Sequence, residues 1–91
     1  MAKRKETVTR VIDGDTFKTA SRTHSVRLAN VDAPEKGTNA GDSATKALRN
    51  MIGGKKVVVN TVARDSYKRA VADVKVNRKS VNKAMNRRLK K

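Results

Sequence analysis

The segments VIDGDTF (residues 11–17) and VRLANVDAPE (residues 26–35) decide how this chain is interpreted. They contain four of its eight carboxylates, although the chain carries 23 lysines and arginines: Asp13, Asp15, Asp32 and Glu35. Grouped carboxylates repel phosphate and repel one another. A bound cation removes that repulsion, because calcium and magnesium bind carboxylate and carbonyl oxygens and can bridge them to a phosphate. These segments therefore predict a metal-assisted phosphoryl site.

The charge of the whole chain predicts a polyanionic partner. Its 23 basic and 8 acidic residues give a net charge of +15 and a pI near 11.1, a balance typical of nucleic-acid-binding proteins. A membrane surface or an acidic protein is the weaker alternative, because the basic C-terminal helix has few apolar residues for anchoring. The chain has no cysteine, which excludes disulfides and zinc–thiolate sites.

The length of 91 residues allows one domain, over residues 1–91. We expect a flexible basic N-terminus over residues 1–6 and a basic tail at residues 90–91. The N-terminal segment lacks the apolar stretch of an export signal. We therefore expect a cytoplasmic protein, or a secreted form that has already been processed.

Alternating β-branched residues predict five strands: residues 7–12, 16–20, 25–31, 55–63 and 69–76. Apolar residues at helical spacing predict one helix from Ser43 to Ile52, with Asp42 or Ser43 as its N-cap, and a second helix after Ser80. The order β-β-β-α-β-β-α is that of a mainly β fold with two helices. Five short strands in this order are expected to close into an OB-type barrel, which binds oligonucleotides on an open face.

Four motifs of this chain resemble the staphylococcal nuclease (thermonuclease) family, in that family's order and approximate spacing. They are DGDT at residues 13–16, RL with VDAPE within residues 27–35, DSYKR at 65–69 and VNKAM at 81–85. The resemblance runs from about Thr7 to Leu89. It implies a calcium-dependent phosphodiesterase on an OB-fold that cuts DNA and RNA with little sequence preference. Magnesium is the alternative cation, because the same ligand types suit both ions.

The resemblance also implies roles for individual residues. Asp15, Asp32 and the main-chain carbonyl of Ala33 match the ligands of the metal. Glu35 matches the residue that activates the attacking water, and Arg27 and Arg69 match the two arginines that hold the scissile phosphate. Tyr67 and Lys68 are the candidate substrate-binding residues: two roles are open for Tyr67, stacking under a nucleotide or covering the end of the barrel, and Lys68 is a candidate substitute for the family's phosphate-binding lysine. The implied partner is DNA, RNA or both, bound nonspecifically by a monomer away from membranes.

The chemistry of these residue types agrees with the implied roles. In-line attack at phosphorus places negative charge on the non-bridging oxygens, and the fork of N–H donors of a guanidinium matches a phosphate bidentately. A carboxylate within one water of the phosphorus can take the proton of the attacking water. Asp13 is the exception among the acids, since its side chain is better suited to holding the turn than to binding the metal.

The chain departs from the family pattern in three places. Lys68 stands where many members have glycine, so the loop that presents Arg69 could be set differently. Ser66 replaces the family's lysine before the tyrosine. The chain stops soon after its second helix, where longer members continue. We therefore expect poorer contacts with the bases and binding that depends more on charge.

Two other functions remain open from the sequence. The first is a basic OB-fold module that binds nucleic acid without catalysis. The second is a basic scaffold for an acidic protein, which explains the charge but not the grouped carboxylates. Asp-Gly-Asp by itself is more often a hairpin turn than a metal site.

Overall fold

The computed structural model describes residues 3–89. Its strands are β1 (Lys3–Asp13), β2 (Thr16–Thr19), β3 (Val26–Leu28), β4 (Lys56–Arg64), β5 (Ala70–Val76) and β6 (Lys79–Ser80), and its helices are α1 (Asn39–Ile52) and α2 (Val81–Leu89). The basic tail expected at residues 90–91 and the first two residues of the N-terminal segment lie outside this range.

Five of the strands close into a barrel. They pair in the order β3-β2-β1-β4-β5 with antiparallel neighbours, and β3 then pairs with β5 in parallel, with Arg27 beside Val71. The short β6 joins β5 through a two-residue turn, Asn77-Arg78. The OB-type barrel and the order of elements predicted from the sequence are confirmed, and β6 is an addition to them.

The core is aliphatic and lies between the barrel and its two helices. Phe17 and Leu28 of the barrel, Leu48 and Ile52 of α1, and Met85 of α2 are fully buried. Burial of each such side chain stabilises the fold by about 1.5–3 kcal/mol. Because α1 lies between β3 and β4 in the chain, its packing on the core fixes the loop that leads into it from β3.

Asn82 of α2 holds the helix against the place where β3 and β5 pair to close the barrel. Its Oδ1 accepts the N–H of Val74 at 2.8 Å, and its Nδ2 donates to the carbonyls of Ala29 and Ala72 at 2.9 and 3.0 Å. The buried amide is thereby fully bonded on both its oxygen and its nitrogen. The motif around Asn82 therefore has a structural role, which is to hold β3 and β5 together.

The N-terminal segment differs from the prediction. Lys3–Glu6, expected to be flexible, are the first residues of β1 and pair with β4. The Glu6 carboxylate is buried, and it accepts hydrogen bonds from Arg22 Nε at 2.8 and 2.9 Å and from the Thr19 hydroxyl at 2.7 Å. The basic residues before Glu6 are thus held in β1 by the buried Glu6 carboxylate, and its partner Arg22 lies 16 residues further along the chain.

Helix α1 begins earlier than predicted. The sequence pattern places its start at Ser43 with Asp42 or Ser43 as the N-cap, whereas the helix begins at Asn39 and its N-cap is Thr38. The Thr38 hydroxyl accepts the N–H of Gly41 at 2.9 Å, which satisfies one of the free donors of the first turn. Asp42 lies in that first turn, where its charge is favourable to the helix dipole.

Within residues 3–89, neither helix has the length and apolar character needed to span a bilayer.

Candidate active site

Arg27 brings two of the predicted metal ligands together. Its Nη2 lies 2.9 Å from Asp32 Oδ1 and 3.5 Å from Asp15 Oδ2, so one guanidinium nitrogen contacts both carboxylates. The backbone explains the meeting of Arg27 and Asp15, because Leu28 donates its N–H to the carbonyl of Asp15 at 2.8 Å. The prediction that these three residues share one site agrees with this geometry.

Asp32 reaches Arg27 through a turn after β3. The strand ends at Leu28, shorter than predicted, and Asn30 follows with a left-handed φ of 61°, a conformation that asparagine tolerates better than most residues. Asn86 of α2 donates from Nδ2 to the carbonyl of Asn30 at 3.0 Å and supports the turn. The side chain of Asp32 is 98% exposed, so this carboxylate is open to an incoming ligand.

Asp15 differs from Asp32 in being buried. Its Oδ1 accepts the Thr16 hydroxyl at 2.9 Å and its Oδ2 accepts the N–H of Ala33 at 3.1 Å. Burial and the neighbouring Asp13 carboxylate raise the pKa of Asp15, and the bonds from Ala33 and Thr16 offset this only in part. The charged form of Asp15 is therefore disfavoured, although the Arg27 guanidinium lies 3.5 Å from its Oδ2. Asp13 itself accepts the N–H of Asp15 at 3.1 Å, which holds the turn as expected.

Gly14 allows the Asp-Gly-Asp turn to approach the rest of the site. A Cβ at this position would lie 2.6 Å from the Cβ of Ala44 and 2.7 Å from the Cβ of Ala33. The glycine is required for space, because its own φ is not in the left-handed region. Three small residues thereby pack the turn against the loop that carries Asp32 and against α1.

Glu35 lies in the loop between β3 and α1, and its position is set by its main chain. The carbonyl of Glu35 accepts the hydroxyl of Thr38 at 2.8 Å and the N–H of Thr38 at 3.3 Å. Gly41 packs directly on that carbonyl, since a Cβ on Gly41 would overlap the oxygen at 1.8 Å. The residue is exposed, and its carboxylate makes no hydrogen bond or ion pair to any residue from 3 to 89.

Asp65 organises the turn that presents the second arginine. Its Oδ1 accepts the N–H groups of Tyr67 and Arg69 at 2.9 and 3.0 Å, and its Oδ2 accepts Arg69 Nε at 2.6 Å. Desolvation raises the pKa of Asp65, but these hydrogen bonds and the Arg69 charge outweigh it, so the pKa lies below its ordinary value. Sequence reasoning missed this role, although Asp65 opens one of the four motifs.

Tyr67 and Lys68 flank Arg69 on the exposed side of the same turn. The Tyr67 ring is 74% exposed, and the Arg69 guanidinium lies 5.3 Å from its centroid, within cation–π range. Lys68 has a φ of 64°, which is the left-handed region that glycine occupies most easily. The backbone therefore keeps a glycine-like turn at Lys68, and the departure from the family pattern does not displace Arg69 from Asp65.

The two arginines share one face of the barrel. Val26, Leu28, Ala70 and Ala72 are buried, so Arg27 and Val71, which are paired across β3 and β5, point outward. Arg69 precedes Val71 by two residues and lies on the same outward row. Two residues along one strand and one strand across place the Cα atoms of Arg27 and Arg69 about 8 Å apart.

Comparison with known proteins identifies the family of the chain. The sequence model of the family described as "Staphylococcal nuclease homologue" matches residues 25–88, well over half of the chain. The chain belongs to the staphylococcal nuclease homologue family. The matched region of this family member contains Arg27, Asp32, Glu35 and Arg69, whereas Asp15 precedes it.

Curated relatives of this nuclease-family chain come from two bacteria. An Escherichia coli protein named "Uncharacterized endonuclease" is 39% identical over 69 residues, covering 74% of the chain and 45% of the relative. The Escherichia coli "Protein ParB" is 39% identical over 72 residues, covering 77% and 41%. An "Uncharacterized endonuclease" of Haemophilus influenzae is 32% identical over 81 residues, covering 86% and 46%. The chain spans less than half the length of these relatives.

Proposed function

We propose that this chain is a metal-dependent endonuclease that hydrolyses phosphodiester bonds of DNA and RNA without sequence preference. The observation that carries the proposal is the arrangement around Arg27: its guanidinium contacts Asp15 and Asp32, and Arg69 lies on the same outward face. Guanidinium groups and carboxylates lie close together here. The guanidinium groups can bind a phosphate ester, and the carboxylates can bind its metal ion. Membership of the nuclease family and two relatives named endonucleases support this proposal.

Arg27 and Arg69 would bind the scissile phosphate. Asp65 engages only Nε of Arg69, and the terminal nitrogens of Arg69 make no hydrogen bond to residues 3–89. Those nitrogens are therefore available to an incoming anion, with the guanidinium already oriented. Loss of one such donor to a developing oxyanion typically costs about 2.7–4 kcal/mol of transition-state stabilisation. Tyr67, exposed beside Arg69, would stack on a base, and Lys68 would add a phosphate contact.

Asp15, Asp32 and the Ala33 carbonyl would hold the cation, calcium or magnesium. The donor chemistry fits a hard ion, because both side chains are carboxylates and both lie beside Arg27. Among residues 3–89, no three histidine, aspartate or glutamate side chains converge into a metal-binding group. The main-chain carbonyl of Ala33 is the third protein donor that the resemblance to the family implies. When bound, the ion supplies positive charge beside the phosphate.

Glu35 would act as the general base. Its carboxylate is exposed and has no partner among the described residues, so it is free to accept a proton from a water that attacks the phosphorus. Proton transfer of this kind contributes about 10²–10⁴-fold to the rate. The bond from phosphorus to the leaving oxygen would break as the new P–O bond forms, and the leaving oxygen would take up a proton from water. The two guanidinium groups would stabilise the negative charge that develops on the non-bridging oxygens.

The proposal is tested by Glu35→Gln, with Asp73→Asn as the control. Asp73 is also an exposed acid, on β5, and it is neither a proposed metal ligand nor the proposed base. We expect Glu35→Gln to lower the single-turnover cleavage rate of plasmid DNA and of RNA by about 10²–10⁴-fold and to leave affinity unchanged. Asp73→Asn should cleave like the wild type. Equal cleavage rates for all three proteins would contradict the assignment of Glu35.

A further inference from the structure

A basic groove lies on the outer surface of the barrel, away from Arg27. It has a volume of about 450 Å³, and we call it the β-face groove; its lining residues are Lys5, Lys56, Val57, Val58, Lys75, Asn77 and Arg78. Lys5 and Lys75 flank Val58 from the two neighbouring strands, β1 and β5. Because adjacent strands are about 4.8 Å apart, the two lysines stand roughly 10 Å apart across the groove.

The charge of the β-face groove is not balanced by acids. None of its lining residues is acidic, and its four basic side chains form no ion pair or hydrogen bond with any residue from 3 to 89. One carboxylate, Asp73, lines a smaller adjoining cavity together with Lys3 and Lys75. Like charges at this spacing repel one another, so the groove is favourable for a polyanion.

The backbone conformation of Arg78 is an independent indication that the positive charge of the groove is functional. It is the second residue of the turn between β5 and β6 and has a φ of 68°, while Asn77 before it has a φ of 48°. A turn with two left-handed residues favours glycine at its second position. Arginine at that position is strained, and strained residues concentrate at functional sites. The strained residue here places a fourth cation at the edge of the groove.

The β-face groove and the candidate active site lie along the same strand. The outward row of β5 runs from Arg69, just before the strand, through Val71 and Asp73 to Lys75. Six residues of extended chain span at most about 20 Å. One strand of a B-form duplex advances about 3.4 Å per base pair, so roughly six base pairs cover that distance.

We propose that the β-face groove is a second nucleic-acid contact surface, which holds the phosphate backbone of a duplex while another part of the same duplex occupies the active site. The side chains that line the groove identify the partner, because they are basic residues, one asparagine and two valines. It has no aromatic residue on which an unpaired base could stack. Binding there is therefore by charge and independent of base sequence. This inference rests on the proposed nuclease function for the occupant of the active site.

The test compares a groove variant with a variant of equal charge. The groove variant is Lys5→Gln, Lys75→Gln, Arg78→Gly; glycine suits the left-handed turn, so that change should not harm folding. The control is Lys46→Gln, Lys83→Gln, Arg87→Gln, which removes three exposed cations from the two helices. Affinity is measured by fluorescence anisotropy over a series of salt concentrations, for a duplex much longer than six base pairs and for a dinucleotide. Cleavage of the dinucleotide is followed in parallel.

We expect the groove variant to bind the long duplex more weakly, with the slope of log affinity against log salt reduced by roughly 2.7, at about 0.9 per lost phosphate contact. Its cleavage of the dinucleotide should equal that of the wild type. If the groove variant loses no more duplex affinity than the control, the proposal that the groove binds a duplex is overturned. The same holds for a groove variant that keeps its duplex affinity but loses affinity for polyglutamate, which would assign the groove to an acidic protein. Duplex binding that depends on the groove, without cleavage of any substrate, would overturn the nuclease function and leave the groove standing.

Discussion

Gly41→Ala tests whether the position of the Glu35 loop matters for catalysis. A Cβ on Gly41 would lie 1.8 Å from the carbonyl oxygen of Glu35, whereas real contacts of this kind are at least 3.0 Å. The Glu35 loop and the first turn of α1 must therefore move apart by at least 1.2 Å, the difference between the two distances. A misplacement of about 1 Å can cost on the order of 10²-fold in rate. Overpacking typically costs about 1–3 kcal/mol, and the atoms that must give way here belong to the backbone.

We therefore expect Gly41→Ala to lose about 1–3 kcal/mol of stability and about 10²-fold in cleavage rate. Gly54→Ala is the control. Gly54 has a φ of 72° and no atom within 4 Å of its Cβ position, so alanine there costs roughly 1–2 kcal/mol without touching the loop. Stability is measured by urea unfolding and cleavage by single turnover, well below the melting temperature. Equal cleavage rates for the two variants would refute the reasoning.

Four further predictions concern the buried pair of Glu6 and Arg22 and the turn that presents Arg69. Arg22→Ala leaves the Glu6 carboxylate buried without its partner and should cost about 3–5 kcal/mol in urea unfolding; a loss below 1 kcal/mol would contradict the buried pair. Burial raises the pKa of Glu6, but the Arg22 and neighbouring hydrogen bonds and the Arg22 charge hold it below its ordinary value. This stabilisation is present above the unfolded pKa and should be lost as the pH falls through the folded pKa; urea unfolding of Arg22→Ala should show a weaker loss in that range. Lys68→Gly should raise stability by about 1 kcal/mol, because it relieves a left-handed lysine; unchanged or lower stability in urea would contradict that strain. Asp65→Asn should lower the single-turnover rate more than substrate affinity, since Arg69 loses the carboxylate that orients it; an effect on affinity alone would argue against this positioning role.

Much of the fold follows from local sequence pattern. Alternating β-branched residues specify the strands, and the spacing of Leu48 and Ile52 specifies α1. The N-terminal part of β1 could not be predicted this way, because Lys3–Lys5 have no apolar alternation. Their strand depends on pairing with β4 and on Glu6, whose partner Arg22 is distant in sequence.

The predicted start of α1 is also wrong, and the reason is physical. Asn39 and Gly41 are poor helix formers, so the local pattern favours a later start. The Thr38 cap and the close approach of Gly41 to the Glu35 carbonyl outweigh that preference. Both are set by the tertiary position of the loop.

The motifs specified which residues belong to the candidate site but not how they meet. The contact of Arg27 with both Asp15 and Asp32 depends on the pairing of β2 with β3 and on the turn at Asn30. The closeness of Arg69 depends on the parallel closure of β3 onto β5. Such long-range pairings are not encoded in the spacing of any single motif.

Cleavage of a labelled duplex by the wild-type chain in calcium and in chelator is the most direct test of the central claim. That claim is that two carboxylates and two guanidinium groups on one barrel face form a metal-dependent phosphodiesterase site. We predict that the duplex is cut in calcium and remains intact, though still bound, in chelator. A duplex that is bound but uncut in both conditions would contradict the claim and identify the chain as a nucleic-acid-binding module.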